Sequence, residues 1–372
     1  MSQSIMANNL KRQYALFADE YKAKACEVLD SGWYVLGREL ELFESNWAAM
    51  VGVPHCAGVA SGLDALTIGL RAAGVQQGDE VIVASNAYVA CVMGITLNGA
   101  IPVFVEPDEF FNIDASGIEA VVSERTKAIL AVHLFGQCCD MDAINAIAER
   151  HGLLVVEDCA QAHGNKWRGK VAGSFGDVSC FSFYPTKGCG AFGDGGAICS
   201  RRSEIDARIR VIRNYGSDRR YHNVEVGMNS RLDEIQAGLL NVKLSHLDEL
   251  NKERSDIAQR YSLEIRNPVV SLPSVRPGAD SSWHQYVVRC AFRDALAGHL
   301  NDLGIGSIIH YPIPPYLQPA YSDLGYRKGD FPIAEKQAAE VLSLPIYNGM
   351  TYEEQTRVID AVNSFGVGGH NA

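Results

Sequence analysis

Short apolar runs alternate with helical patterns through the first half of the chain. Residues 81–84, 101–105, 128–132 and 153–156 have the length and apolar character of buried strands, and residues 140–150 have the apolar spacing of an amphipathic helix. Strands separated by helices form βαβ crossovers, which place the strands in a mainly parallel sheet covered on both faces. The pattern predicts an α/β fold whose ligands bind at the carboxyl ends of the strands.

Helical patterns flank this alternation. Apolar spacing predicts helices at residues 10–31 and 39–51, and one long helix from Asp233 to Tyr261 that leads out of a large domain. Beyond Pro268 the predicted elements are a strand at 285–291, a helix near 296–303, a proline-rich segment at 310–319 and a last helix from Tyr352. We therefore expect a large α/β domain with amino-terminal helices at residues 1–250 and a small α+β domain at residues 251–372.

No charged residue occurs between Val81 and Val105, which raises a membrane span as an alternative. Polar and turn-forming residues, among them Asn98, Gly99 and Pro102, interrupt this stretch, so the pattern favours a buried strand, a helix and a second buried strand. The first 17 residues lack the uninterrupted apolar stretch of a secretory signal. The sequence predicts a cytoplasmic protein without membrane association.

Composition and charge narrow the class of partner. The chain has 372 residues, 47% hydrophobic and 21% charged, which is enough for a large core without disulfide or metal staples. The formal net charge of −11 opposes binding to a nucleic-acid backbone. Ten cysteines occur with no Cys-x-x-Cys spacing, so we expect free thiols in a reducing cytoplasm and no metal site. Among the classes of ligand, the sequence therefore favours a small molecule.

Two carboxylates and an amide follow the predicted strand at residues 153–156. In Glu157-Asp158-Cys159-Ala160-Gln161 they stand at the sheet edge where ligands bind. Carboxylates at strand ends also cap helices and shape turns. This motif alone leaves a catalytic role for Asp158 open.

Lys187 follows another predicted strand, residues 178–183, and precedes a glycine-rich stretch and a further strand at residues 196–200. A lysine among prolines, glycines and apolar residues is poorly hydrated, and desolvation lowers its pKa toward the free amine that a nucleophile needs. The alternative is a solvated loop lysine. The sequence of this loop by itself does not decide between the two.

Asp158 and Lys187 together fit pyridoxal 5′-phosphate, in which a lysine forms a Schiff base and a carboxylate pairs with the pyridinium nitrogen. At about 4 Å and an effective dielectric near 20 such a pair attracts by roughly 4 kcal/mol before desolvation, against about 1 kcal/mol for a neutral hydrogen bond. The difference keeps the ring protonated as an electron sink. The pair therefore points to this cofactor more strongly than either residue alone.

Residues 188–193 also show the G-x-G-x-x-G spacing of a dinucleotide site. That fingerprint requires its last glycines to open a helix, whereas Asp194-Gly195-Gly196 predicts a turn into another strand. A nicotinamide-dependent oxidoreductase is therefore disfavoured.

An anion site is predicted at Ser61 and Gly62, because Ser61 is a helix N-cap candidate and Gly62 admits close approach to the free N–H groups of the helix. Serine caps also occur without a ligand. Tyr88, at a strand-to-helix turn, has the position to stack on a cofactor ring or to pack in the core.

These motifs resemble those of the DegT/DnrJ/EryC1/StrS family of pyridoxal-phosphate-dependent sugar aminotransferases, which have the aspartate aminotransferase-like fold (fold type I). The resemblance spans nearly the whole chain and is most specific at residues 157–161, 182–187, 193–196 and 227–233. It implies a large domain with a mainly parallel mixed sheet and a smaller carboxy-terminal α+β domain.

The resemblance also implies a set of cofactor contacts: Lys187 in the Schiff base, Asp158 on the pyridine nitrogen, Gln161 at the ring hydroxyl, Tyr88 over the ring, Ser182 with the backbone of Gly62 and Leu63 at the phosphate, and Asn229 at the phosphate of the neighbouring subunit's cofactor. A homodimer with active sites at its interface follows from this set.

Leu63 and residues 310–314 are most similar to members that aminate C3 of a dTDP-linked 3-keto-6-deoxyhexose. On this likeness Tyr184, His310 and Tyr311 contact the sugar, with a packed proline-rich turn as the alternative. Lysine at position 187 argues against the branch that carries histidine there and dehydrates its substrate.

An arginine cluster is a further candidate contact, since a nucleotide diphosphate needs one. Arg219 and Arg220, with Arg213 and Arg231, have this character in an otherwise acidic chain, although a solvated loop is the alternative. The predicted reaction is a ping-pong transfer from L-glutamate to the keto sugar nucleotide. Amination at C4 and a non-catalytic pyridoxal-phosphate-binding regulator are the alternatives.

Overall fold

The computed structural model describes residues 4–366. Within this range the helices are α1 (Leu10–Leu16), α2 (Ala18–Ser31), α3 (Arg38–Val51), α4 (Gly62–Ala73), α5 (Val89–Thr96), α6 (Met141–His151), α7 (Ser203–Ile212), α8 (Glu234–Ser245), α9 (Leu247–Glu264), α10 (Arg293–Asp302), α11 (Pro332–Glu340) and α12 (Tyr352–Ser364). The strands of the same residues are β1 (His55–Val59), β2 (Glu80–Ala84), β3 (Ile101–Val105), β4 (Thr126–Val132), β5 (Leu154–Asp158), β6 (Lys166–Trp167), β7 (Lys170–Val171), β8 (Val178–Ser182), β9 (Gly196–Ser200), β10 (Ser217–Arg219), β11 (His222–Asn223), β12 (Tyr286–Arg289) and β13 (Val341–Leu344).

Seven of these strands form one mixed sheet in the order β1-β9-β8-β5-β4-β2-β3. The five strands from β8 to β3 are parallel, and β9 runs antiparallel to both of its neighbours. All residues of β2 and β9 are buried, as expected for strands covered on both faces. The predicted α/β fold with a mainly parallel mixed sheet is confirmed.

Two predicted helices are each broken in the structure. The predicted helix at 10–31 divides at Phe17, whose backbone is non-helical with φ −131°. The predicted long helix from Asp233 divides at His246, with φ −108° and ψ 6°. The rings of Phe17 and His246 stack with centroids 3.8 Å apart, so the two breaks meet in one contact between distant parts of the chain. Apolar spacing continues through both breaks and therefore does not reveal them.

Strand β2, helix α5 and strand β3 occupy the uncharged stretch that raised the membrane alternative. The prediction of strand, helix and strand is confirmed. Across residues 4–366, every helix is too short or too polar to traverse a lipid bilayer.

The core falls into three apolar clusters. Two lie on the faces of the seven-stranded sheet, and the third consists of residues from Ile257 onward together with Ile5. Ile5 pairs with Ile305 in a parallel bridge, so the first described residues join the carboxy-terminal part of the fold. The β12–β13 pair with α10 and α12 gives that part its predicted α+β character. The division at residue 250 stays a prediction.

Candidate active site

Asp158 lies at the carboxyl edge of the sheet as the last residue of β5. The sequence predicted a strand ending at residue 156; instead both carboxylates belong to the strand and project to opposite faces. Asp158 is 6% exposed, and its Oδ1 accepts the backbone N–H of Ala160 at 2.9 Å. Its Oδ2 accepts the thiol proton of Cys91 at 3.0 Å. Strand alternation thus decides which carboxylate faces the ligand side.

Glu157, on the other face, has a structural role that sequence reasoning did not assign. Its oxygens accept the backbone N–H groups of Gly173, Phe175 and Gly176, and His133 Nε2 donates at 3.0 Å. Although burial raises the pKa of Glu157, these hydrogen bonds lower it below its usual value. Glu157, His133 and Cys159 lie together as metal ligands do, but the Glu157 carboxylate fixes the turn at residues 173–176 and His133 is bonded to Glu157.

Lys187 lies in the turn after β8, where its backbone N–H donates to the carbonyl of Tyr184 at 2.8 Å. Burial lowers the pKa of Lys187 to about 8, and the negative charge of Asp158 opposes that effect. Of the two alternatives that the sequence left open, this lowered pKa agrees with the desolvated lysine. The structure therefore places Lys187 within the electrostatic influence of Asp158.

Three imidazoles surround Lys187, two of which sequence reasoning missed. Burial, followed by the charge of Lys187, lowers the pKa of His163 to about 3, that of His310 to about 4, and that of His284 well below its usual value. All three rings are therefore neutral at pH 7. The only sequence signal for His163 is its place two residues after Gln161, and His284 has none.

A cavity of about 90 Å³ lies beside this cluster. It is lined by residues of the lysine turn and of the carboxy-terminal part, among them Thr186, His284, His310 and Ser343. His310 Nδ1 and Ser343 Oγ are 2.8 Å apart, whereas His284 Nδ1 has no hydrogen-bond partner among residues 4–366. Among the described residues, His284 therefore lines the cavity while its Nδ1 atom is buried and unsatisfied.

We expect His163 to make the apoprotein sensitive to acid. Its pKa is about 3 folded and near 6.5 unfolded, so below pH 6.5 the unfolded state binds the proton and stability falls as pH falls. Between about pH 6 and 4, His163→Gln should reduce the slope of the unfolding free energy against pH by about 1.4 kcal/mol per unit. Urea denaturation at several pH values measures it, with exposed His151→Gln as the control. Equal slopes in wild type and His163→Gln would contradict the prediction.

The amino end of α4 forms a cradle for an anion. Ser61 is the N-cap, and its Oγ accepts the N–H of Asp64 at 3.1 Å, as predicted. Gly62 and Leu63 are the first two helical residues, so their N–H groups have no acceptor within the helix. A Cβ at Gly62 would lie 2.4 Å from the Cβ of Ser182, so only glycine brings the helix terminus and the Ser182 hydroxyl together. The donors fit a phosphate group.

A second group of predicted residues is joined by direct contacts. Gln161 Oε1 accepts the N–H of Phe135 at 2.6 Å, and its Nε2 donates to the hydroxyl of Tyr311 at 3.3 Å. The rings of Tyr311 and Tyr88 have centroids 4.8 Å apart. Tyr88, at the N-cap of α5, is 44% exposed, and Tyr184 is 53% exposed, so both present ring surface to a ligand.

The structure separates the predicted arginine cluster. Arg213 is buried and bonds the carboxylate of Glu44 and the carbonyl of Gly58, so the prediction that it binds a diphosphate is wrong. Arg219 and Arg220 are exposed on the β10–β11 hairpin. Arg231 donates to Asn214 and lies over the ring of Tyr215. The sequence had grouped Arg213 with Arg219 and Arg220 because they are near one another in the chain, but Arg213 forms a buried ion pair with Glu44.

Asn229 is exposed next to Ser230, which is fully buried. Ser230 Oγ donates to Asp64 Oδ2 at 2.7 Å and accepts the N–H of Ala60 at 3.1 Å. The segment that carries Asn229 is thus attached to the helix terminus that forms the anion cradle.

Together these groups fit pyridoxal 5′-phosphate. The cradle offers N–H and hydroxyl donors for the phosphate, Asp158 offers a buried carboxylate for a ring cation, and Lys187 offers an amine with a lowered pKa. The donor set contains each element that the cofactor requires.

Comparisons with known proteins agree with this geometry. The model of the DegT/DnrJ/EryC1/StrS aminotransferase family matches residues 17–363. The dTDP-3-amino-3,6-dideoxy-alpha-D-galactopyranose transaminase of Aneurinibacillus thermoaerophilus is 51% identical over 340 residues, 91% of this chain and 93% of that protein. The erythromycin biosynthesis sensory transduction protein EryC1 of Saccharopolyspora erythraea is 48% identical over 339 residues, 90% and 93% of the two chains. The solved structure of Streptomyces venezuelae DesV in complex with a ketimine intermediate has a TM-score of 0.95 and 44% identity, with 97% and 98% of the two chains covered.

Proposed function

Because the chain belongs to the DegT/DnrJ/EryC1/StrS aminotransferase family, we propose that it transfers the amino group of L-glutamate to C3 of a dTDP-linked 3-keto-6-deoxyhexose. Membership makes it a pyridoxal-phosphate-dependent sugar aminotransferase. The proposal adds the sugar nucleotide, the carbon that receives nitrogen and the amino donor. The observation that carries the reaction is that the charge of Asp158 acts on the Lys187 amine, which follows β8, the strand that ends at Ser182 of the anion cradle.

Each residue has a defined task in this reaction. Pyridoxal phosphate, when bound, supplies an aldehyde and an electron-withdrawing pyridinium ring. Gly62, Leu63 and Ser182 hold the phosphate, and the Asp158 carboxylate holds the proton on the ring nitrogen. Lys187 Nζ, with its pKa near 8, takes the proton from the α carbon of the amino donor and in the second half-reaction returns a proton to C3 of the sugar. The keto acid formed from L-glutamate leaves before the keto sugar nucleotide binds at the same site, which gives ping-pong kinetics.

Amination at C3 is supported by the name of the Aneurinibacillus relative, a 3-amino-3,6-dideoxy sugar transaminase. Amination at C4 is the competing proposal. Incubation with L-glutamate and either the 3-keto or the 4-keto sugar nucleotide, followed by NMR of the product, locates the new C–N bond. Nitrogen at C4 would overturn the choice of carbon and leave the aminotransferase intact.

A regulatory role without catalysis is the second candidate, favoured by the sensory transduction name of the Saccharopolyspora relative. The cofactor's visible absorbance separates the two. In an aminotransferase it disappears on addition of L-glutamate and returns on addition of the keto sugar nucleotide, whereas in a non-catalytic regulator it stays.

Tyr184, His310 and Tyr311 remain the proposed sugar contacts. His310 lines the cavity beside the lysine turn, and Tyr311 is hydrogen-bonded to Gln161 next to the ring of Tyr88. Tyr184 is exposed three residues before Lys187. The exposure of Tyr184 and the position of His310 in the cavity wall support the proposal.

Arg219 and Arg220 are proposed to bind the diphosphate. Replacing both with alanine should raise KM for the sugar nucleotide about tenfold with little change in kcat, because charge-assisted hydrogen bonds to phosphate are lost equally in ground and transition states. Steady-state kinetics at saturating L-glutamate measures it. The control replaces Arg125 and Arg150, which lie just before β4 and β5, at the amino ends of the strands and away from their carboxyl ends. An unchanged KM in the Arg219/Arg220 variant would contradict the assignment.

We propose a homodimer with active sites at its interface. The hairpin around β10 and β11 exposes apolar side chains, with Tyr221 87% and Val226 79% exposed. Apolar surface of this kind marks a protein contact. Asn229 follows in the same segment, which supports its proposed reach to the partner's cofactor phosphate.

Mixed dimers test this arrangement. Subunits carrying Lys187→Ala are unfolded and refolded with subunits carrying Asn229→Ala, at a cofactor concentration that does not saturate the second variant. If Asn229 acts across the interface, each mixed dimer has one intact site, and about a quarter of wild-type activity returns. If Asn229 acts within its own chain, beside Ser230 and Asp64, both sites stay defective and the activity of the mixture remains that of the separate variants.

We place the protein in the cytoplasm on its thiol chemistry. All ten cysteines are free and nine of them are buried. Free thiols in this number are typical of a reducing compartment. The proposed substrates, a nucleotide sugar and L-glutamate, require no nucleic-acid or membrane surface.

A further inference from the structure

We propose that Cys91 is a positioning residue for Asp158, whose carboxylate its thiol proton holds in the orientation that faces the cofactor ring; this rests on the proposed role of Asp158. The two residues are far apart in sequence. Cys91 lies in the first turn of α5, and Asp158 ends β5. Their contact, Sγ to Oδ2 at 3.0 Å, joins a helix to a strand at the candidate active site.

The contact restricts the rotation of the carboxylate. Oδ2 accepts the Cys91 thiol, and Oδ1 accepts the backbone N–H of Ala160 at 2.9 Å. Each oxygen therefore has its own donor, one from α5 and one from the turn after β5. Rotation about the Cβ–Cγ bond of Asp158 would break both hydrogen bonds. A carboxylate fixed in this way presents its remaining lone pairs to a ring nitrogen without having to reorient.

A thiol suits this task because it stays neutral. Cys91 is fully buried, and burial together with the charge of Asp158 raises its pKa well above the ordinary value. It therefore remains a proton donor over the working range and adds no second negative charge beside the ring. Since a thiol is a weak donor, Asp158 keeps most of its charge for the pyridinium nitrogen.

Cys91 also connects Asp158 to the residue proposed to cover the ring. Its backbone N–H donates to the carbonyl of Tyr88 at 2.9 Å, and Tyr88 is the N-cap of α5. The thiol thus connects the first turn of α5, which carries Tyr88, with β5, which carries Asp158. One side chain sets the relative position of the ring's stacking partner and its charge partner.

Cys180 provides a matched control. It is 1% exposed, pairs with Asp158 in the β5–β8 register, and donates its thiol to the carbonyl of Ala65 at 3.2 Å instead of to a carboxylate. Cys180→Ala therefore removes the same atoms from an equally buried site next to Asp158. Any general cost of a lost thiol appears in both variants, whereas loss of the Asp158 contact appears only in Cys91→Ala.

The test compares holoenzymes of wild type, Cys91→Ala, Cys91→Ser and Cys180→Ala. The readouts are kcat, the cofactor dissociation constant, and the downfield ¹H NMR resonance of the ring-nitrogen proton. In Cys91→Ala we expect kcat to fall and the dissociation constant to rise about threefold to tenfold, as for one lost hydrogen bond. The resonance should move in Cys91→Ala alone. Cys91→Ser retains a donor and should stay within about twofold of wild type.

Equal behaviour of Cys91→Ala, Cys91→Ser and Cys180→Ala would overturn the inference. If Cys91→Ala does not fold, Cys91→Thr and Cys91→Val take its place, since they have the same shape and differ in the hydroxyl proton. The same NMR measurement on Asp158→Asn separates failure of the Cys91 inference from failure of the proposed role of Asp158. An unmoved resonance there removes Asp158 from the ring and with it the proposed role of that carboxylate. A moved resonance there, with Cys91→Ala unchanged, overturns the Cys91 inference alone.

Discussion

Replacing Lys187 with alanine is expected to reduce kcat below about 1% of wild type, because general acid–base catalysis by one side chain contributes about 10²–10⁴-fold. Lys187 combines the nucleophilic amine and the base in one residue, and burial has already lowered its pKa to about 8. Steady-state amination of the keto sugar nucleotide measures the loss. Retention of more than about a percent of kcat would remove Lys187 from proton transfer.

Lys243 is a natural internal comparison for this prediction. It is also buried, its pKa is likewise lowered to about 8 by burial, and its Nζ donates to the carbonyl of Gly190 at 3.3 Å. A lowered pKa alone therefore does not select between the two amines, whereas the negative charge of Asp158 acts on Lys187. Borohydride reduction of the holoenzyme and peptide mapping should place the cofactor on the peptide with residue 187. A label on residue 243 would identify Lys243 instead of Lys187 as the lysine that forms the Schiff base.

Replacing Asp158 with asparagine is expected to lower kcat by at least about 100-fold. Asparagine keeps the shape and can still accept the N–H of Ala160 through Oδ1, but its Nδ2 cannot accept the Cys91 thiol proton, so the charge and one weak hydrogen bond are lost. The difference between an ion pair of roughly 4 kcal/mol and a neutral hydrogen bond of about 1 kcal/mol is about 3 kcal/mol, or roughly 10² in rate. Single-turnover measurement of the glutamate half-reaction detects it without interference from product release.

Charge and shape can be separated further in the same variant. Pyridoxal phosphate methylated on the ring nitrogen carries a permanent positive charge and needs no carboxylate to keep it. Reconstitution of Asp158→Asn with this analogue should recover part of the lost rate, whereas reconstitution of wild type should not increase its rate. No recovery in Asp158→Asn would mean that Asp158 acts by something other than holding charge on the ring.

The sheet was predictable from sequence because its strands are buried on both faces. The strands at residues 101–105 and 196–200 have the predicted bounds, since continuous apolar runs ended by turn residues mark them. The helix breaks at Phe17 and His246 were not predictable, because they depend on a ring stacking between residues more than two hundred positions apart. Local patterning carries no information about such a contact.

The residues of the candidate site also fall into those that the sequence predicted and those that it did not. Asp158 and Lys187 were candidates because each lies a few residues after a predicted apolar strand and the two together fit one cofactor. Cys91, His163 and His284 were not, because each resembles an ordinary buried residue in sequence and gains its place at the site only through strand and helix packing. The prediction for Arg213 was wrong for the opposite reason. Residues that are close in sequence were assumed to act together, but their side chains lie on different sides of the fold.

The hydroxyl of Ser230 bridges Ala60 and Asp64 at the cradle, while the preceding residue, Asn229, is exposed. In the proposed homodimer, Ser230 would therefore connect the residues that bind the cofactor with a residue at the subunit interface. By thermodynamic reciprocity, whatever factor the cofactor adds to the dimerisation constant, dimerisation must add to cofactor affinity. Dilution should therefore release cofactor, and apoprotein should dissociate into monomers more readily than holoenzyme.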